Sequence, residues 1–249
     1  MLQDNRKNHN PGFVVFMPTQ RTCLILIAFL QFAPIVSGGE KAGSISGVVR
    51  FTGESPPAKK ITTSDGGTIV HNDLVVDAKS KGLRDVVAIF DNAPAQPKVR
   101  NARPVVVDQR EMIFVPRVVA VQHGQAVSFD NSDMFNHSVM ANSKVAANRF
   151  NIFVSPGKPY EHVFEVQPRP IPIGCSLHSW MRAWVYVVPH PWFAVSNEQG
   201  RFEIKTVPPG KYTLSLHHAD TGMREEREVE VTAGKSVEIA VEWRKVEGK

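Results

Sequence analysis

The chain has 249 residues, enough for one large domain or two small ones with an ample core. Its hydrophobic content of 42% and charged content of 21% are ordinary for a globular protein. The net charge of +5 comes without a dense block of Lys and Arg, which argues against nucleic acid as a partner. Eighteen Pro, seventeen Gly and many short Val, Ile and Phe runs predict an all-β chain.

Residues 1–39 predict a secretory signal that takes no part in the mature fold. Three basic residues, the last of them Arg21, precede an apolar run over 23–36, and small residues follow at 37–39. This run is shorter than the roughly 20 residues that a membrane-spanning helix needs. We therefore expect an exported protein, in the periplasm or outside the cell, attached to a membrane only if the segment stays uncleaved.

The cysteine count singles out one thiol. Of the two cysteines, Cys23 lies in the predicted signal, so the mature chain keeps Cys175 alone. A lone thiol in an oxidising compartment is a liability unless something holds it. A buried inert cysteine is the alternative, but the neighbours of Cys175 favour a metal ligand.

Short alternating or apolar segments separated by turn residues predict strands along the chain. They lie at 44–51, 68–77, 85–90, 104–107, 112–115, 117–121, 125–130, 137–140, 160–166 and 184–188. His123 and Gly124 predict a tight reversal between two of them. Prolines at every second position from Pro168 to Pro172 predict a sheet edge or a polyproline-like run, because one side of that segment lacks N–H donors.

After residue 190 the chain shows a regular series of alternating segments separated by turns. Four further strands are predicted at 201–205, 211–217, 226–231 and 236–243. We therefore expect three parts: the signal at 1–39, a first β domain at 40–190 with an N-terminal extension, and a small second β domain at 191–249. A segment as short as the last is lean for an independent core, which favours docking on the first domain.

One short stretch carries the chemistry. Cys175, His178 and Met181 follow one another at Cys-x2-His-x2-Met spacing. A thiolate, imidazoles and a weak thioether are the mixture that a copper ion cycling between Cu(I) and Cu(II) prefers. His137 offers the second imidazole from upstream. Four protein ligands leave no open position for a substrate, so the pattern favours an electron-transfer protein over an enzyme.

The region from about residue 112 to 188 resembles the cupredoxins, the family of type 1 blue-copper proteins. Its loop is most similar to that of amicyanin, which has the same ligand spacing followed by a basic residue, here Arg182, and a strand. Family members also carry an Asn six residues before the first ligand His, matched here by Asn131. The resemblance implies a Greek-key β-sandwich that binds one copper ion.

The resemblance also implies a role for each matched residue. The implied copper ligands are His137, Cys175, His178 and Met181. Asn131 and Ser138 would support them. The family often has Asn where this chain has Ser138, but the group that holds the thiolate there is a backbone N–H, which serine also supplies.

The C-terminal part carries a second resemblance. Residues 200–214 fit a Gly-x-Phe-x-Ile and Pro-x-Gly-x-Tyr-x-Leu pattern and resemble the carboxypeptidase regulatory-like (transthyretin-like) β-sandwich. Residues 44–53 resemble the first strand of such a module. An alternative therefore stays open, in which the copper domain is inserted into a discontinuous second domain.

The cupredoxin resemblance implies one-electron transfer, with His178 as the route out of the site. An apolar patch around it would dock a protein redox partner through a small interface; the patch consists of Leu177, Trp180, Met134 and Phe135. Three other functions stay open: a copper carrier or sensor, a metal-free structural or adhesion module, and an enzyme whose second copper comes from another chain.

Overall fold

The computed structural model describes residues 41–63 and 66–245, and this part of the chain is almost entirely β-structure. Its first nine strands are β1 Gly43–Phe51, β2 Lys59–Thr62, β3 Thr68–His71, β4 Val87–Phe90, β5 Val105–Arg110, β6 Ile113–Val115, β7 Val118–Gln122, β8 Ala126–Asn131 and β9 His137–Ala141. The next nine are β10 Phe150–Val154, β11 Tyr160–Val163, β12 Ile171–Gly174, β13 Arg182–Val188, β14 Phe193–Val195, β15 Arg201–Val207, β16 Gly210–His218, β17 Met223–Val231 and β18 Ser236–Trp243. A single 3-10 turn, Ala146–Asn148, lies between β9 and β10.

The predicted signal, with Cys23, lies outside the described residues. Within them, no helix has both the length and the apolar character needed to cross a membrane.

Two sheets from the middle of the chain form a sandwich. One has the strand order β10-β9-β12-β13-β7, and the other has the order β11-β8-β5-β6. Both contribute to one apolar core, because alternate side chains of a strand point to opposite faces of its sheet. The core includes Val107, Phe114, Val127 and Phe129 from the second sheet, and Val119, Val139, Ile171, Ile173, Ala183 and Val185 from the first. This core lies directly beneath the candidate metal centre.

Strands from both ends of the chain build a second pair of sheets. β1 lies between β15 and β18, and it runs parallel to β18 over its whole length. β4 lies between β14 and β16, and β17 completes that sheet. The two sheets share a second core, which includes Ile45, Val49, Phe51, Leu83, Ala88, Phe90, Phe202, Ile204, Leu214, Leu216, Val241 and Trp243.

This pairing bears on where the chain divides. The first and last described strands belong to one sheet and one core, while the residues of the sandwich core fall between them in sequence. The strand pairing therefore favours the alternative in which a middle module, residues 105–188, is inserted into a module made from both ends of the chain. The boundaries expected from sequence, 40–190 and 191–249, remain predictions.

A polar contact joins the two modules. The buried carboxylate of Asp220 pairs with the guanidinium of Arg117 and accepts a hydrogen bond of 2.9 Å from Trp184 Nε1. Arg117 also donates to the carbonyl of Asn72 at 2.6 Å. Buried charges are tolerated when they are paired and hydrogen-bonded; both terminal nitrogens of Arg117 have partners here, while its buried Nε makes no hydrogen bond within the described part of the chain.

Most predicted strands are confirmed, and the misses have local causes. The segment expected as one strand at 68–77 ends at His71, because Asn72 turns the chain and its side chain caps the N–H of Leu74 at 3.1 Å. β2, β10 and β14 were not predicted. The reversal at Gly124 is confirmed, with φ of 95° and a hydrogen bond of 2.9 Å from Gln125 N to Gln122 O.

The proline run was expected at a sheet edge or in a polyproline-like segment, but its end forms β12, a strand between β9 and β13. Regular pairing with β9 begins only at Ile173. The carbonyl of Pro172 accepts from Asn142 N at 3.1 Å. Since the N and C=O of one residue point the same way in a strand, the missing donor faces a stretch where β9 has already ended.

Candidate metal centre

The candidate centre lies at one end of the sandwich, where three strand termini meet. His137 is the first residue of β9, Cys175 follows β12 directly, and Met181 precedes β13 directly. Gly174, the last residue of β12, pairs with Met140 of β9 on one side and with Arg182 of β13 on the other. The strand pairing therefore brings the upstream histidine next to the loop that carries the other three candidates.

The loop between β12 and β13 is closed by its own backbone. Cys175 N donates to Met181 O at 3.2 Å, and Met181 N donates to His178 O at 3.0 Å. These bonds fix the relative positions of three candidate ligands that are close in sequence. The short spacing in the sequence is thus the spacing that a tight strand-to-strand loop requires.

Three donor atoms converge. His137 Nδ1, Cys175 Sγ and His178 Nδ1 all lie within 4.8 Å of one another. The two Nδ1 atoms are 3.0 Å apart, and Sγ is 3.7 Å from Nδ1 of His178. No second group of three His, Cys, Asp or Glu side chains converges in this way in residues 41–63 and 66–245.

The four candidate ligands differ in burial. His137 and Met181 have no exposed surface, and Cys175 is 4% exposed. His178 is only partly buried. Met181 and Cys175 belong to the same apolar core. Three of the four candidate ligands are thus shielded from solvent, and His178 is the candidate ligand that reaches the surface.

The surroundings of Cys175 favour its thiolate. Burial raises the pKa of the thiol, but the hydrogen bond with His137 and the backbone N–H groups of Ser138 and Leu177 outweigh it and lower the pKa to about 6. The N–H of Ser138 lies 3.3 Å from Sγ. The deprotonated form is the one that binds metals.

The surroundings of His137 favour the protonated form of its imidazole. Burial lowers the pKa of its imidazole, but hydrogen bonds with Cys175 and Asp133 outweigh it and raise the pKa above the ordinary value. Asp133 Oδ2 lies 2.8 Å from His137 Nε2. We assign a proton to Nε2 from this hydrogen bond, so Nδ1 is the ring nitrogen that faces Sγ and the second imidazole.

Asn131 and Ser138, expected to support the ligands, both make buried contacts there. Asn131 Nδ2 donates to Phe135 O at 2.9 Å and to Val154 O at 2.8 Å, and its Oδ1 accepts from Asp133 N at 3.0 Å. These bonds fix the loop that leads into His137. Ser138 Oγ accepts from Ser176 N at 2.7 Å and so ties β9 to the ligand loop.

Sequence reasoning missed two supporting residues, Asp133 and Gln109. The signal for Asp133 is its place four residues before His137. Gln109 is fully buried, and its Nε2 donates to Ser138 O at 3.1 Å. In the sequence, Gln109 stands out as a polar residue at an inward-facing position of β5, two positions after the buried Val107.

The donor set fits copper better than the harder cations. One thiolate, two imidazoles and a buried thioether are softer ligands than the oxygens that Mg²⁺ or Ca²⁺ prefer. Three of the apolar residues expected to form a docking patch are exposed: Met134 is 94% exposed, Leu177 is 51% exposed and Phe135 is 49% exposed. The Phe135 ring lies 5.3 Å from the His137 ring, and the Trp180 ring lies 5.2 Å from the His178 ring.

Comparisons with known proteins find similarity in solved structures only. No family model and no curated protein matches the chain. Three similar structures illustrate the range. A Cu-containing nitrite reductase from Thermus scotoductus SA-01 is 24% identical, with a TM-score of 0.32 over 37% of this chain and 25% of that one. A purple cupredoxin from Nitrosopumilus maritimus is 22% identical, with a TM-score of 0.29 over 34% of this chain and 99% of that one. A mutant of amicyanin in the reduced state is 20% identical, with a TM-score of 0.31 over 41% of this chain and 98% of that one.

Proposed function

We propose that the chain is a mononuclear type 1 copper protein that transfers single electrons to or from a redox partner. The observation that carries the proposal is the convergence of His137 Nδ1, Cys175 Sγ and His178 Nδ1 within 4.8 Å. The copper would supply reversible exchange between Cu(I) and Cu(II). Met181, buried in the same core as Cys175, is the proposed fourth ligand.

The chain's own residues would keep this centre rigid. Ser138 N–H, at 3.3 Å from Sγ, stabilises the thiolate. Asp133 holds the proton on His137 Nε2 and leaves Nδ1 available. The core beneath excludes water. A site that changes little in geometry between two oxidation states is suited to fast electron transfer, since little reorganisation has to accompany each step.

The visible and EPR spectra of Cu(II)-loaded mature protein test the proposal. We expect an intense thiolate-to-copper absorption band and its loss in Cys175→Ser. Persistence of the band in that variant would mean that the thiolate is not a ligand.

The fourth ligand needs its own test. Met181→Leu should shift the absorption band and the midpoint potential, because it removes the thioether without reducing side-chain bulk. Met140→Leu is the matched control, since Met140 is 36% exposed and pairs with Gly174, the residue just before the ligand loop. Equal effects of the two changes would remove Met181 from the ligand set.

We place the docking of the redox partner on the exposed apolar side chains around His178. Leu177 is the most informative of them, because it neighbours His178 in sequence and is 51% exposed. Leu177→Glu should slow electron self-exchange and leave the visible spectrum unchanged. A spectrum that changes together with the rate would place Leu177 in the centre rather than on the docking surface.

A copper carrier or sensor is the alternative closest to this proposal. A reversible midpoint potential with fast self-exchange supports electron transfer, whereas ready loss of Cu(I) to a competing chelator supports a carrier. The metal content of protein purified from a copper-replete export compartment tests the metal-free alternative. Mass analysis of that protein also shows whether residues 1–39 have been removed or remain as a membrane anchor.

A further inference from the structure

The turn between β5 and β6 has an unfavourable backbone conformation beside the candidate centre. Glu111 and Met112 have φ values of 55° and 60°, and they are flanked by the paired residues Arg110 and Ile113. Two-residue hairpin turns of this kind favour Asn and Gly, because other side chains are strained at positive φ. Such residues are unfavourable and persist only where the surrounding structure holds them.

Two side chains hold this turn. The carboxylate of Asp133 accepts from Glu111 N at 2.7 Å and from Met112 N at 3.0 Å. On the other side, Trp180 Nε1 donates to Met112 O at 3.1 Å. Both N–H groups and one carbonyl of the strained turn are therefore bound by side chains from elsewhere in the chain.

The same two side chains reach the two imidazoles. Asp133 Oδ2, which accepts from Met112 N, also accepts from His137 Nε2 at 2.8 Å. The Trp180 ring lies 5.2 Å from the His178 ring at an interplanar angle of 44°. A continuous path thus runs from one imidazole to the other through Asp133, the backbone of Met112 and Trp180.

This path joins parts of the chain that are far apart in sequence. His137 belongs to the start of β9, and His178 belongs to the loop between β12 and β13. Where these two segments meet directly, Ser138 supplies the hydrogen bonds to Cys175 and Ser176. The 111–112 turn adds a second connection between the two imidazoles, through Asp133 and Trp180, which are not candidate ligands.

We propose that the Glu111–Met112 turn is a positioning element that holds the imidazoles of His137 and His178 in register before any metal binds. The proposal deepens the proposed copper function and rests on it for its effect on metal binding. Its effect on the metal-free protein does not depend on that function. Asp133 and Trp180 are positioning residues, because they act through the turn and the rings rather than as ligands.

The experiment uses Asp133→Asn and Trp180→Phe in the full mature chain, singly and together. Asn keeps one acceptor oxygen but cannot bind all three donors, and Phe keeps the ring but loses the N–H donor. Supporting groups of this kind change metal affinity by roughly 10- to 100-fold when they are removed. We expect each single variant to weaken Cu(II) binding about tenfold in a chelator competition. We expect the double variant to lose less than the product of the two, because both act through one turn.

Trp192→Phe is the matched control. Its Nε1 also donates to the carbonyl of a residue with positive φ, Thr206, at 2.9 Å, but in the other core. It should lower thermal stability to a similar degree and leave copper affinity unchanged. If Asp133→Asn and Trp180→Phe behave like this control, the turn is only structural and the proposal is wrong.

A second readout keeps the outcome separate from the proposed function. In metal-free protein, ¹⁵N NMR of histidine reports which ring nitrogen carries the proton. We expect His137 to be protonated at Nε2 in the wild type, and its Nδ1 and Nε2 signals to change in both variants. If the histidine signals change in the variants but neither the wild type nor the variants bind copper, the positioning element is supported and the copper function is wrong. If the wild type binds copper but the variants keep its histidine signals and its copper affinity, the positioning element is wrong and the copper function stands.

Discussion

Removal of the Asn131 side chain should destabilise the metal-free protein more than any other single polar change near the centre. The side chain is 4% exposed and makes three hydrogen bonds, two as a donor to Phe135 O and Val154 O and one as an acceptor from Asp133 N. Each bond contributes about 1 kcal/mol net, and a buried carbonyl left without a donor costs about 1–3 kcal/mol more. The sum of these contributions predicts that Asn131→Ala lowers the free energy of unfolding by about 4–6 kcal/mol.

Urea unfolding of metal-free protein, followed by tryptophan fluorescence and circular dichroism, measures this change. The midpoint should fall while the dependence on urea concentration stays the same, because the surface exposed on unfolding is unchanged. Asn151→Ala is the matched control: Asn151 is exposed on β10, and surface changes usually stay within about 0.5 kcal/mol. A loss below about 1 kcal/mol for Asn131→Ala would refute the reasoning, because buried hydrogen bonds would then not be what fixes the loop before His137.

Three further predictions concern the module built from both ends of the chain. Phe51→Ala should cost about 3–5 kcal/mol and make residues 191–249 sensitive to limited proteolysis, because Phe51 is 1% exposed in the core shared with those residues; resistant C-terminal strands would contradict the discontinuous module. Asp220→Ala should cost about 3–5 kcal/mol, because the charge of Arg117 then keeps, among the described residues, only the more distant carboxylate of Asp73, at 3.9 Å, as an ion-pair partner, and Arg117→Met with Asp220→Leu should regain most of this stability in thermal unfolding; a double variant no more stable than the single one would contradict this. Burial lowers the pKa of His218 from 6.5 to about 4, so the unfolded chain takes up this proton first and up to about 3 kcal/mol of stability is lost as the pH falls across that window. His218→Gln should not show this loss, so the difference in stability between wild type and variant should become smaller as the pH falls from 6.5 to 4. A difference that stays constant would contradict a lowered pKa for His218.

The local parts of the candidate centre were predictable from sequence, because short spacing reflects short-range geometry. The Cys-x2-His-x2-Met spacing corresponds to a loop whose ends are joined by one backbone hydrogen bond, from Cys175 N to Met181 O. The sequence also predicted a strand that starts at residue 137 after a loop, and His137 is the first residue of β9. Such contacts join residues that are only a few positions apart, so the sequence pattern predicts them directly.

The support for the centre was not predictable, because it depends on contacts between distant segments. Asp133 is one of several single aspartates in the sequence, and only the fold brings it to Glu111 and Met112. The strand β10 was missed because its alternate residues Phe150 and Ile152 are only partly buried, and Phe153 on the outer face is 70% exposed. That arrangement is typical of an edge strand and does not give the usual inward-outward pattern.

The parallel pairing of β1 with β18 has a consequence for the order in which the chain folds. Both neighbours of β1 in its sheet come from the C-terminal part of the chain, so β1 has an unpaired edge until almost the whole chain is available. The strands of the sandwich, in contrast, find all their partners between β5 and β13. Because long-range pairing is slow and a free strand edge invites aggregation, we expect the sandwich to fold first. The polar residues of β1 itself, Ser46 and Arg50, would then help to keep its unpaired edge soluble.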